Sequence, residues 1–260
     1  MTVSHRFRHG LFFQAAYTYS KEIDNVSGSQ STDELNATQA GQGGATILNF
    51  GNNPAGNRSV GDFDRRQRAV FSYNYELPVP KHGIWGTQAF QGWSFSGINV
   101  FQDGLPFSVT DPTGGRAFGG GTSTGIFTCG SLSNAYTGGD INDRLNGYLN
   151  PACFSPAPLV PNTGTSPSTL SNSLAPTGYG TIPRNAFRGP FQQNWDFSLM
   201  KHFRLHENHV VDFRTDFFNI LNHPSFRQPS TVSIGSATFG QINSTVNPAR
   251  LIQFGLQYSF

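Results

Sequence analysis

The chain has 260 residues, a net charge of +2 and 12% charged residues, against roughly a quarter in ordinary soluble domains. Aromatic residues reach 13%, with 24 Phe, 30 Gly and 16 Pro, a balance that fits a compact helical or α/β domain poorly. No apolar run approaches the roughly 18 residues of a membrane helix, and so small a charge gives no footprint for nucleic acid. A membrane β-barrel stays open, because each of its strands is half polar and escapes hydropathy averages.

The first predicted strand is Thr2 to Arg8, with Val3, His5 and Phe7 on one face, ended by a His9-Gly10 turn. Leu11 to Ser20 follows, with Leu11, Phe13, Ala15, Tyr17 and Tyr19 on one side and Phe12 as the misfit on the other. From 21 to 66 the pattern gives way to Gly, Asn, Ser, Thr and Gln, a loop far longer than compact domains favour. Periodicity returns over Gln67 to Leu77, where Ala69, Phe71, Tyr73, Tyr75 and Leu77 alternate with polar residues until Pro78-Val79-Pro80. Gly92 to Val109 predicts one long strand with a bulge near Gly97, since Ile98 and Val100 fall on the wrong side.

A loop over 111–193, rich in Gly, Ser, Thr, Asn and Pro, holds both cysteines. Beyond it, Trp195, Phe197, Leu199 and Phe203 alternate with Asp196, Ser198, Met200, His202 and Arg204. A turn at His206-Glu207-Asn208 leads into Val211, Phe213, Thr215 and Phe217, alternating with Asp212, Arg214 and Asp216. After a loop at 222–249, the chain ends on Ile252, Phe254, Leu256, Tyr258 and Phe260, interleaved with Gln253, Gly255, Gln257 and Ser259.

The fold class that follows is all-β, an antiparallel transmembrane β-barrel segment of about seven strands, an open meander if alone, with long loops. The connections run short, long, short, long, short, long, the parity of a barrel with short periplasmic turns and long extracellular loops. The aromatic face, carrying Phe13, Tyr17, Phe71, Tyr73, Phe95, Trp195, Phe197, Phe213, Phe217, Phe254 and Leu256, is expected to be one outward, largely exposed surface that faces outer-membrane lipid. The terminal strand is expected to pair antiparallel with Val210 to Ile220 and to leave its other edge unpaired. A surface-exposed or secreted β-sandwich binding glycans through its long loops is the alternative.

The runs HGLFFQAAYTYSKEIDN, RRQRAVFSYNYELP, GWSFSGINVFQDGLPFSVTD, RNAFRGPFQQNWDFSLMKHFRL, FRTDFFNILNHPSF and IQFGLQYSF resemble the last strands of TonB-dependent outer-membrane receptors. Within these, the chain is similar to the Oar-like branch with a carboxypeptidase-regulatory-like domain. The resemblance spans nearly the whole chain, and Phe217 to Pro224 is its most specific piece. It implies that 1–260 is the C-terminal part of the receptor barrel, in the outer membrane of a Gram-negative bacterium. The plug domain and earlier strands are expected on a missing N-terminal portion, along with the export signal and the link to the inner-membrane TonB complex. It also implies that Phe260, Tyr258 and Leu256 form the signal read by the barrel-assembly machinery.

Cys129 and Cys153 are a candidate disulfide on the cell surface. His202, His206 and His209 cluster around a turn, but no carboxylate or cysteine completes a metal set. Arg58, Arg65, Arg66 and Arg68 beside Asp62 and Asp64 read as ion pairs at a barrel rim. No P-loop or HExxH occurs, and the reading is of a transport protein without cofactor, not an enzyme.

Overall fold

A computed structural model describes residues 1–7, 10–24, 58–79, 89–114, 123–158, 178–206 and 209–260. Seven long strands run through it: β1 (Thr2–Arg6), β2 (Leu11–Tyr19), β3 (Gln67–Glu76), β4 (Trp93–Gln102), β5 (Gln192–His206), β6 (His209–Phe218) and β7 (Leu251–Ser259). They form one sheet in chain order, and every neighbouring pair is antiparallel. β7 pairs with β6 from Val210↔Ser259 to Phe218↔Leu251, as its pattern predicts. Among the described residues, the outer edges of β1 and β7 have no strand partner.

The register sorts the side chains. Ala15 lies opposite Phe71, Phe71 opposite Asn99, and Asn99 opposite Trp195. Phe197 lies opposite Phe217, and Phe217 opposite Ile252. All eleven residues expected on the aromatic face therefore share it. Their rings touch in rows across the strands: Phe13–Phe71 at 6.3 Å, Phe71–Phe101 at 5.9 Å and Phe101–Trp195 at 5.4 Å between centroids. A second row runs Tyr73–Phe95–Phe197–Phe217 at 6.3, 6.0 and 6.1 Å. These are the offset and edge-on spacings that ring quadrupoles favour. Lateral contact leaves most of these rings half-buried, while Tyr17, Phe254 and Leu256 are exposed. Each long strand packs extensively on its neighbours in the sheet, and no second sheet makes this a sandwich among the described residues.

Three local expectations need correction. β4 stops at Gln102 rather than Val109, because Pro106–Phe107 leaves the sheet to pair with Phe187–Arg188. Gly97 is no bulge, since the register passes through it unbroken on both sides. The glycine instead makes room for a ring: a Cβ there would lie 2.4 Å from Tyr73 Oη and 2.8 Å from the Asp196 carbonyl oxygen. The register shift falls in β5, between Arg204 and His206. The third correction concerns 111–193, read as irregular. Parts of it form a cap with its own core, where Phe107, Val109, Leu149, Phe154, Ile182 and Phe187 pack with Val232 and Phe239 of the last long loop. The cap also carries the one short α-helix of the described residues, α1 (Ile141–Asn146), closed by a capping box between Asp140 and Asp143. The expected turns at His9-Gly10 and Glu207-Asn208 fall wholly or partly outside the described residues, as does Pro80.

Gly97→Ala should destabilise the sheet by about 1–3 kcal/mol, the usual cost of overpacking. Gly255→Ala, whose Cβ meets only the Arg214 Cβ at 4.0 Å, should cost far less. Urea unfolding of the intact protein in lipid vesicles, followed by tryptophan fluorescence, reads the difference.

Candidate functional site

The strand directions place Tyr19, Gln67, Gln102, Gln192, Phe218 and Leu251, which flank the long connections, at one end of the sheet. Arg6, Leu11, Glu76, Trp93, His206 and His209, which flank the short ones, lie at the other end. The site is built where the long connections meet.

Two arginines close to each other in sequence clasp the first loop to the cap. The Arg184 side chain is 3% exposed and pairs with Asp24 and, at 3.3 Å, with Asp62. Asn185 Nδ2 donates to Asp62 Oδ1 at 2.6 Å and to the Val60 carbonyl at 2.8 Å. Arg188 pairs with the Asp64 carboxylate and donates to the Asp64 carbonyl at 3.0 Å. The Glu22 N–H donates to Asp64 Oδ1 at 2.6 Å. Ile23–Asp24 pairs with Ser59–Val60 as a short ribbon, so both ends of the first loop are pinned together. Asp62 and Asp64 thus find cations across the chain, in Arg184 and Arg188. Arg65 instead donates to the Asp103 carbonyl at 2.7 Å and to Gln192 Oε1 at 3.1 Å, tying the rim of β3 to β4 and β5. Burial, then the carboxylates of Asp24, Asp64 and Asp62, push the Glu22 carboxyl up, against a smaller opposing pull from Arg184.

Arg188 is itself held from the cap side. Its N–H donates to Tyr136 Oη at 2.9 Å, and Tyr148 Oη donates to its carbonyl at 3.1 Å. The two tyrosine rings meet edge-on at 5.4 Å, and burial pushes both hydroxyls up. The Cys129–Cys153 disulfide, with Cα atoms 5.1 Å apart, sits in the same body, and Cys153 belongs to its core.

The last long loop is pinned by asparagines. Asn219 and Asn222 both have φ of 50°, in the left-handed region that asparagine tolerates better than most residues. Buried Asn219 receives an N–H from His223 at 3.0 Å and donates through Nδ2 to the Pro248 carbonyl at 3.0 Å. Its own N–H donates to Asp196 Oδ1 at 2.9 Å. The Phe217 to Pro224 run is therefore a loop anchor.

The aromatic face ends in bands of amphipathic residues. Tyr17, Tyr19 and Trp195 lie toward the long-loop end, and Tyr75, Trp93 and Tyr258 toward the short-turn end. Lys201 is nearly fully buried near the second band, its ammonium 5.1 Å from the Trp93 ring and 4.8 Å from the Phe203 ring. It donates to the Ala89 and Gln91 carbonyls, so a cation on this face is satisfied by rings and a turn backbone. In β7, Tyr258 stacks on His209 at 5.8 Å and on Phe260 at 5.7 Å, and Leu256 lies opposite Phe213. His202 pairs with Asp212 on the polar face, so it and His209 point to opposite sides of the sheet. Among the described residues, no group of three or more His, Cys, Asp or Glu converges to hold a metal.

Sequence reasoning missed Arg184, Arg188, Asn219 and Lys201. The only signal was the compact run Pro183-Arg-Asn-Ala-Phe-Arg-Gly-Pro190, with two arginines framed by prolines inside a loop otherwise poor in charge.

Residues 1–253 match the family model of an outer membrane beta barrel domain. No curated protein and no solved structure matches the chain.

Arg184→Met should release the first loop from the cap, because removing one partner of a buried ion pair costs about 3–5 kcal/mol. Arg214→Met, at a pair whose arginine is half exposed, should cost about 1 kcal/mol or less. Protease added to intact cells should cut within 20–66 in the first variant and leave the second as resistant as the parent.

Proposed function

The chain belongs to the outer membrane beta barrel domain family, and from that premise we propose that it forms part of the wall and outer loops of a TonB-dependent receptor. The observation that carries this reading is that, among the described residues, both outer edges of the sheet lack a strand partner. An odd number of strands in an antiparallel meander leaves β1 and β7 running the same way, so they cannot close on each other antiparallel. Lipid tolerates no such edges, since each unsatisfied N–H or C=O there costs several kcal/mol. Further strands of a longer protein supply the missing partners in this reading.

The faces support the same assignment. The aromatic face meets lipid between its two amphipathic bands, and the face with Arg68, Asp196, Arg214 and Asp216 lines the lumen. The cap and the clasped first loop then stand outside a Gram-negative cell, where they meet the ligand. Coupling to the inner-membrane TonB complex, and a plug that gates the lumen, belong to the rest of that protein. Phe260, Tyr258 and Leu256 present the terminal signal to the barrel-assembly machinery, with Phe260 the most exposed of them.

The test uses the intact protein in its own outer membrane. Phe260→Ala should sharply reduce the heat-modifiable band that marks a closed barrel, while Ser259→Ala, on the polar face, should leave it unchanged. The purified periplasmic domain of TonB should bind the detergent-solubilised protein. A heat-modifiable barrel that never captures it would be a passive channel and would refute the receptor reading.

A further inference from the structure

Four carboxylates gather at the base of the first loop, and only three of them have an arginine. Asp24 and Asp62 pair with Arg184, and Asp64 pairs with Arg188. Glu22 lies among them, and its carboxylate makes no ion pair or hydrogen bond among the described residues. The backbone fixes it in that place. Its N–H donates to Asp64 Oδ1 at 2.6 Å, and its carbonyl accepts the Gly61 N–H at 3.2 Å. The Gly61 carbonyl in turn accepts the Asp64 N–H at 3.2 Å, so the turn that carries Asp62 and Asp64 is folded against Glu22. The glutamate side chain lies directly over this turn: a Cβ on Gly61 would stand 2.6 Å from Glu22 Cδ and 2.9 Å from Oε1.

The charges that face Glu22 are Asp24 on its own ribbon strand, Asp62 and Asp64 on the turn, and Arg184 from the cap. Arg188 is taken by Asp64, and Lys21 and Arg58 beside the ribbon are exposed to water. Asp62 and Asp64 are buried, so their repulsion of a fourth carboxylate is weakly screened. Opening the clasp frees Glu22 from the three aspartates, and closing it brings the four together again. Ionised Glu22 therefore works against the clasp, and neutral Glu22 does not. Burial first, then Asp24, Asp64 and Asp62, raise its carboxyl above the ordinary 4.5, with Arg184 pulling the other way. A carboxyl raised in the clasped form holds its proton more tightly there than in the released form. The clasp therefore gains strength as pH falls through the raised value, and the gain is complete below the ordinary one.

We propose that Glu22 is an acid-sensitive catch, which tightens the hold of the cap on the first loop when the surroundings turn from neutral to mildly acidic. The direction is diagnostic, because protonation can only weaken the arginine–aspartate pairs themselves. The catch concerns the outer loops alone and stands whether or not the protein is a TonB-dependent receptor.

The test places cysteines at Ile23, in the ribbon, and Leu132, in the cap, both exposed, while the two native cysteines are joined to each other. The intact protein is spin-labelled at both sites in detergent, and double electron–electron resonance separates clasped from released molecules by the distance between the labels. Urea is set so that half the molecules are released at a pH of about 8. Lowering the pH to about 5 at the same urea concentration should raise the ratio of clasped to released molecules severalfold. Glu22→Gln, neutral at every pH, should already hold the higher ratio at the upper pH and lose the rise. Glu22→Ala should lose the rise too, and decides the matter if the glutamine variant does not assemble. A ratio that stays flat or falls with acid in the parent overturns the proposal. So does a rise that persists in either variant, since another group would then carry the proton.

Discussion

Backbone hydrogen bonding is the constraint on which the rest of this structure depends. A strand that crosses lipid has no water to satisfy its N–H and C=O groups, so its neighbours must do so. β2 through β6 have strand partners on both sides within the sheet, in registers interrupted by the shift between Arg204 and His206. The side chains need no second layer to bury them. In the proposed reading lipid takes that role for the aromatic face, whose rings lie against one another in rows instead of inserting into a dry protein core. Gly97 and Tyr73 show how closely those rows are fitted, with a ring lying where any Cβ would stand.

The hydrophobic core that a water-soluble domain would place between sheets is found instead in the cap. Phe107, Phe154 and Phe187 meet there with Val232 and Phe239 from a separate loop, and a disulfide ties the same body. The division follows from solvent. At the loop end the chain faces water, so apolar groups must be hidden by protein and charges must be paired. Arg184 and Arg188 do the pairing, joining the first loop, the cap and the rim of the sheet into one assembly. At one end of the aromatic face, Lys201 is satisfied by rings and backbone carbonyls.

Much of the sheet was legible in the sequence because a period of two is local information. Phe213, Thr215 and Phe217 against Asp212, Arg214 and Asp216 give strand and face without knowledge of any partner, and exclude a register slip of one residue. The cap was not legible in this way. Its core residues come from segments as far apart as Phe107 and Phe239, with no shared period, and Leu105, Phe107 and Val109 even mimic the continuation of β4. The clasp was missed for a related reason: Asp62 and Asp64 lie beside four arginines in sequence, yet their partners are more than a hundred residues away. Asn219 shows a third case, in which the most specific run was visible but its task, holding a loop through a left-handed asparagine, depends on contacts to His223, Pro248 and Asp196.

The central claim is that the aromatic face meets lipid and the polar face meets the lumen, and β6 tests it most directly because both of its edges are paired. Single cysteines at 211 through 217, spin-labelled in the intact protein in bilayers, report collision with oxygen, which partitions into lipid, and with a water-soluble nickel complex. Oxygen accessibility should peak at Val211, Phe213, Thr215 and Phe217, and nickel accessibility at Asp212, Arg214 and Asp216, with a period of two throughout. Nickel accessibility at all seven positions, or the opposite phase, would contradict the account.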